Sequence, residues 1–316
     1  MPDGEVLKPR RTRRIPPVID RGGNEEKAVD YYDRNGNLHK ETTGQDVFLK
    51  LLYGELGRKT ILPLLIGPTV SDLGGRFLNT RLSALLIPGF VRRNHIDLGE
   101  YMRQEFSSYN DFFTREIRPE FRPLCPEPDA LISPCDGRLT ICPIGENTLF
   151  SIKNSSYTIS SLLKNPKLAA RYTGGEALIF RLTVDNYHHY CWPADGYKSR
   201  NIRIPGVLHT VNPVAVESTT VYHENSREYC VLRTDRFGTI VMMEVGAMIV
   251  GKISNLEKSA GYVKRGNEKG CFEFGGSTVI LLLEKNRVHL MEDLRQNSLN
   301  GFETKVKMGE KIGEQI

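Results

Sequence analysis

No stretch of the 316-residue chain strings together the roughly 18 apolar residues that a bilayer-spanning helix needs, so any membrane contact is expected to be peripheral. The opening MPDGEVLKPRRTRRIPP has no apolar core and does not read as a secretory signal, which points to an intracellular location. The six cysteines, at 125, 135, 142, 191, 230 and 271, form neither close pairs nor the short repeats of a zinc site. Scattered reduced thiols and no metal are the expectation. Also missing are G-x-G-x-x-G, a P-loop and any internal repeat, which argues against nucleotide chemistry. The charge excess is small: 43 Lys+Arg against 38 Asp+Glu leave +5. That is too mild for a dedicated nucleic-acid binder, yet it suits an anionic lipid surface.

What is present divides into four segments. Residues 1–22 are a Pro- and Arg-rich basic flexible tail. Residues 23–45 include AVDYYDRNGNLHKETTG, where Asn35-Gly36 between short apolar stretches predicts a small accessory hairpin with a primed turn. Over 46–123 the apolar spacing turns helical, in DVFLKLLYGELGRKTILPLL and VSDLGGRFLNTRLSALLIPGFVRR. An apolar face edged by Arg58, Lys59, Arg76, Arg81, Arg92 and Arg93 could lie on an anionic membrane or pack on its own domain. Residues 124–316 carry short β-branched runs bounded by Gly, Pro, Asn and Asp, with TISSLLKN the one evident helix. The fold class is therefore α+β, N-terminal amphipathic helices followed by a β-rich domain.

Within CFEFGGSTVILLLEKNRV, Gly275-Gly276 precede Ser277-Thr278 and the apolar run Val279–Leu283. A tight turn entering a buried strand accounts for the pattern. So does a chain that cuts itself there. Other chemically competent residues are Asp136 in SPCDG, His188, His189 and Cys191 in DNYHHYCWPADG, and His209 in IPGVLHTVNP. A carboxylate and imidazoles on loops can activate a hydroxyl. Each also has a structural use, because Asp-Gly is a common turn, adjacent histidines point apart and single histidines often serve packing.

Taken together, FFTREIRP, SPCDG, NYHHYCWPADG, IPGVLHTVNP, NSREY, VGAMIVGKI and FGGSTVILLLEK resemble, in order, the phosphatidylserine decarboxylase proenzymes, from about Tyr53 to the low three-hundreds. The resemblance implies a catalytic domain of that type and self-cleavage between Gly276 and Ser277, giving a β chain 1–276 and an α chain 277–316. Ser277 would attack the Gly276 carbonyl, pass through dehydroalanine and end as a covalent pyruvoyl group. That group would form a Schiff base with phosphatidylserine and act as electron sink, releasing CO2 and phosphatidylethanolamine without a metal. An anionic membrane surface and a homodimer are further implied; nucleic acid is not.

Residue by residue, the resemblance assigns Asp136 to activating the serine and His188 to the substrate carboxylate or to proton donation. Thr278, Cys191 and His189 become substrate or oxyanion candidates. The chain departs from the family's Tyr-His-Arg-x-His at two places: His189 stands where Arg is common, and Cys191 where a second His is common. A thiol replaces that imidazole as a base only if its pKa falls below about 8.5. His209 is the alternative. Other readings are a pyruvoyl decarboxylase of a soluble amino acid, an unprocessed scaffold, or a swinging-arm carrier. For the carrier, Ile249 follows Met248 where the modified lysine belongs, and Lys252 is displaced.

Overall fold

A computed structural model describes residues 30–40, 76–146, 148–152, 155–208, 223–246, 252–273 and 277–316. The basic tail, the stretch DVFLKLLYGELGRKTILPLL, His209 and Gly275-Gly276 lie outside the described residues. Strands run as β1 Tyr31–Tyr32, β2 Leu38–His39, β3 Ala130–Ile132, β4 Gly137–Pro143, β5 Phe150–Ile152, β6 Ser155–Tyr157 and β7 Glu176–Leu182. They continue as β8 His189–Cys191, β9 Gly196–Lys198, β10 Ile202–Ile204, β11 Val207–Leu208, β12 His223–Glu224, β13 Arg227–Thr234 and β14 Thr239–Val245. The last are β15 Lys252–Asn255, β16 Gly261–Val263, β17 Glu268–Glu273, β18 Ser277–Leu283, β19 Val288–Leu290, β20 Glu303–Val306 and β21 Lys311–Gln315. Helices are short: α1 Ile87–Arg93, α2 Tyr109–Phe113, α3 Ile159–Leu163, α4 Pro166–Ala170 and α5 Glu292–Leu299. The described chain is a strand-rich α+β fold.

One large sheet organises it, in the order β16-β9-β13-β14-β18-β7-β4-β20-β1-β2 with β10 added on β13. Every pairing is antiparallel except β1 with β20. Its middle strand explains the apolar run after Ser277-Thr278. All seven residues of β18 are buried. Val279, Leu281 and Leu283 enter one core, while Ile280 and Leu282 enter a second on the opposite face. A strand covered on both faces needs apolar residues at every position rather than at alternate ones, and each such side chain contributes about 1.5–3 kcal/mol. The small sheet β15-β17-β8 supplies Phe272 and Tyr190 to the first core. Helix α3 closes the second, capped as its sequence predicts by Thr158, whose hydroxyl accepts from Ser161 N–H at 3.1 Å.

Two local expectations change. Tyr31–Tyr32 and Leu38–His39 do form a hairpin, but the turn is a five-residue loop rather than a primed two-residue one. The Asp33 carboxylate takes the Asn35 and Asn37 N–H groups at 2.9 Å each, and only Gly36 adopts a positive φ, +81°. The carboxylate thus does the turning that Asn35 was expected to do. Helix content is the second difference: TISSLLKN reads as the one evident helix of 124–316, and the described chain adds α4 and α5 there, α5 having no N-cap side chain and beginning instead with Glu292 and Asp293, which complement its macrodipole.

Candidate active site

Strand register gathers the candidate residues at one end of the large sheet. Arg181 of β7 pairs with Arg138 of β4 on one side and Thr278 of β18 on the other, and Thr278 pairs with Val245 of β14. Ser277 therefore lies one step beyond that row, opposite Leu182. Asp136 immediately precedes β4, and His188 follows β7 after a short turn. At roughly 4.8 Å between strands, the entries to β18 and β4 stand about 10 Å apart across β7. Ser277, Thr278, Asp136 and His188 are all buried. Gly137 is required at this end, since a Cβ there would meet the Arg181 carbonyl oxygen at 3.0 Å.

His188 is oriented by its surroundings. Asn186 closes the preceding turn, its Oδ1 accepting from Thr183 N–H at 2.9 Å and from the Thr183 hydroxyl at 3.0 Å. The Asn186 carbonyl lies 2.9 Å from His188 Nδ1. A carbonyl only accepts, so Nδ1 carries a proton and Nε2 is the ring nitrogen left for substrate chemistry. Phe113 of α2 packs on the ring, with centroids 4.0 Å apart. The Arg115 guanidinium, fully buried, donates to the Asn186 carbonyl at 3.3 Å and to the Tyr101 hydroxyl at 3.1 Å. This is the physical work of the FFTREIRP element: it fastens the helical segment to the turn that carries His188.

Asp136 is held as one half of a buried ion pair. Arg122 Nε donates to Oδ1 at 2.8 Å and Nη2 to Oδ2 at 2.6 Å, and Met308 N–H adds a third bond at 2.9 Å. Burial alone would lower the Arg122 pKa, but the bonds and charge of Asp136 outweigh it and the net direction is upward. His189 stacks on Tyr187, 4.6 Å between centroids, and its ring nitrogens face two acceptors, Glu268 Oε1 at 2.7 Å and the Thr114 carbonyl at 3.2 Å. Cys191 is fully buried near the Ser133 carbonyl, Sγ to oxygen 4.0 Å. Burial pushes its thiol up to about 12, opposite to what a thiolate base requires. Among the described residues no group of three His, Cys, Asp or Glu is placed to hold a metal ion.

Comparison with known proteins follows the same residues. The phosphatidylserine decarboxylase family model matches 109–314, a span containing Asp136, His188 and Ser277. The chain belongs to the phosphatidylserine decarboxylase family. It is similar to phosphatidylserine decarboxylase proenzyme 2 of Clostridium acetobutylicum, 44% identical over 267 residues covering 84% of this chain and 91% of the relative. The proenzyme of Clostridium novyi is 36% identical over 294 residues, 91% of this chain and 100% of its own. That of Chlamydia caviae is 36% identical over 296 residues, 92% and 99% respectively. The chain is accordingly a decarboxylase of that family.

Arg115, Arg122, Asn186 and a buried acid on β14, Glu244, were not singled out from sequence. A signal for Glu244 existed: a carboxylate inside the apolar run IVMMEV has to be either paired or functional.

Proposed function

We propose that this protein decarboxylates phosphatidylserine to phosphatidylethanolamine after cutting itself between Gly276 and Ser277. The observation that carries the reading is the burial of Ser277 at the first position of the central strand, at the sheet end shared with Asp136 and His188. In maturation the Ser277 hydroxyl replaces its own peptide bond by an ester. Loss of the serine α-proton then breaks the Cβ–Oγ bond, and hydrolysis releases ammonia. The pyruvoyl group so formed supplies the electron sink for loss of CO2. The site fits it, because its carbonyl would originate on a residue already anchored by β18 and screened from bulk water.

The chain's own residues then have separable tasks. His188, with Nε2 as its accepting nitrogen, is suited to hold the substrate carboxylate when protonated and to return a proton to the carbon that loses CO2. Arg115 and Phe113 fix that ring. Asp136, locked by Arg122 and Met308, holds the entry to β4 against β7 and β20. We assign 124–316 as the catalytic domain, 46–123 as the membrane and substrate-access region, 23–45 as the accessory segment and 1–22 as a tail, with two chains assembling as a homodimer. A lipid rather than a soluble amino acid is favoured by the exposed Phe77, Leu82, Leu85 and Leu86 beside Arg81, Arg92 and Arg93. The test is intact mass under denaturing conditions. A 277–316 fragment with a blocked N-terminus, lighter by one ammonia than the serine-initiated peptide, is expected. A single 316-residue chain that persists with anionic lipid would refute the reading.

A further inference from the structure

Self-cleavage needs a base for the Ser277 hydroxyl, and of the two groups weighed from sequence to replace the second histidine only Cys191 is among the described residues. Cys191 is a buried neutral thiol, and His209 lies outside the described residues. Asp136 has both oxygens engaged. The face of the sheet onto which Ser277 projects holds another carboxylate. Glu244 of β14 pairs directly with Val279 of β18. Paired residues and those two positions along a strand share a face, so Glu244 and Ser277 are diagonal cross-strand neighbours. Their Cα atoms are about 7–8 Å apart, within the combined reach of a glutamate and a serine.

Glu244 is completely buried, with a cation and an amide against one of its oxygens. Lys269 of β17 donates to Oε2 at 2.7 Å, and Asn255 of β15 donates to the same oxygen at 3.2 Å. Asn255 also bridges to Glu228 of β13, the direct cross-strand neighbour of Glu244, and its Oδ1 accepts from Lys269 at 2.8 Å. The Lys269 ammonium sits 5.5 and 5.3 Å from the Tyr190 and Trp192 rings. All of this converges on Oε2. Oε1 has no hydrogen-bond partner among the described residues. A buried carboxylate oxygen left unbonded is costly, and such cost is tolerated where chemistry uses the atom.

We propose that Glu244 is the base that takes the Ser277 hydroxyl proton in the self-cleavage step, with Lys269 as the positioning residue that keeps its carboxylate charged. The inference rests on the functional reading above. As Oγ bonds to the Gly276 carbonyl carbon, its proton passes to Glu244 Oε1; the Gly276–Ser277 C–N bond breaks, and the proton is returned to the departing nitrogen. Ester and free amine result, with nothing gained or lost. Burial raises the Glu244 pKa and Lys269 and Asn255 oppose it, leaving a net upward shift and thus a stronger base than an exposed carboxylate.

The test follows freshly synthesised full-length proenzyme, separating the 316-residue chain from its 1–276 and 277–316 fragments. Glu244→Gln keeps shape and an Oε1 acceptor, and is expected to slow cleavage at least about 100-fold while circular dichroism stays native. Its residual rate should climb about tenfold per pH unit as hydroxide substitutes for the missing base, a slope that a merely structural role would not introduce. Glu244→Gln/Lys269→Met removes the buried charges together, so it decides the matter if the single variant does not fold; it too should stay uncleaved. Wild-type maturation by either folded variant overturns the assignment of Glu244 alone. Wild-type protein that never cleaves overturns the functional reading itself.

Discussion

Strand β18 and the stretch from Phe77 to Leu86 are both rich in large apolar side chains, and the molecule treats them oppositely. Every residue of β18 is buried between two cores. In the other stretch Phe77, Leu82, Leu85 and Leu86 are 47%, 68%, 79% and 50% exposed. The stretch is fastened to its neighbours by Leu78 and Ala84, which pack against the cluster of Ile87, Tyr109, Phe112 and Phe113, and by the Ser83 hydroxyl, which accepts from Tyr109 N–H at 2.8 Å. One region has closed its apolar surface around Ser277 and Thr278. The other presents apolar surface rimmed by arginine, an arrangement that gains stability only when another apolar phase covers it.

If that contrast is right, substitutions in the closed region register as lost stability and those in the open region do not. The largest effect is expected for Arg122→Met, which leaves Asp136 as a buried unpaired carboxylate and should cost about 3–5 kcal/mol in urea unfolding. A cost below about 1 kcal/mol would show that water reaches Asp136 and that the pole is not closed. Phe113→Ala should follow, at about 3 kcal/mol or more, because it opens a cavity between α2 and the His188 ring. Its second signature is turnover falling further than the fraction of folded protein. Cys191→Ala should be milder, near 1 kcal/mol, with the maturation rate unchanged, since a buried thiol pushed up to about 12 is neutral throughout the physiological range. Loss of cleavage in that variant would restore Cys191 to the chemistry.

The same contrast explains what could be read without coordinates. Thr239–Val245 and Ser277–Leu283 coincide with the β-branched runs, since strands covered on both faces are apolar at most positions, while Arg227–Thr234 coincides with a run whose apolar Tyr229–Leu232 is flanked by polar and charged residues. Ser277, Asp136 and His188 stood out by motif, and strand register places them at one end of the sheet. Partnership was not legible. Nothing local in IRPEFRPL says that Arg122 will meet Asp136, 14 residues on, or that Arg115 will reach carbonyls 70 residues away. Lys269 looks like an ordinary surface charge in sequence, and only the stacking of β15-β17-β8 over the large sheet buries it beside Glu244. The hairpin turn failed for a similar reason, because a side-chain carboxylate two residues upstream overrode the Asn-Gly preference.

The smallest change in stability and the largest change in location should come from Leu82→Ser/Leu85→Ser. Both side chains already face solvent, so unfolding free energy should move by no more than about 0.5 kcal/mol. On a membrane each leucine would bury apolar area worth about 1.5 kcal/mol or more. Losing both should weaken binding to vesicles containing phosphatidylserine on the order of a hundredfold. Sedimentation with vesicles of mixed anionic and neutral lipid measures it, and raising the salt should weaken the wild-type protein as well, through Arg81, Arg92 and Arg93. Unchanged sedimentation would mean that this face is covered by protein, not lipid; the exposed leucines would then point to a second chain, and the homodimer rather than the membrane would be the partner to look for.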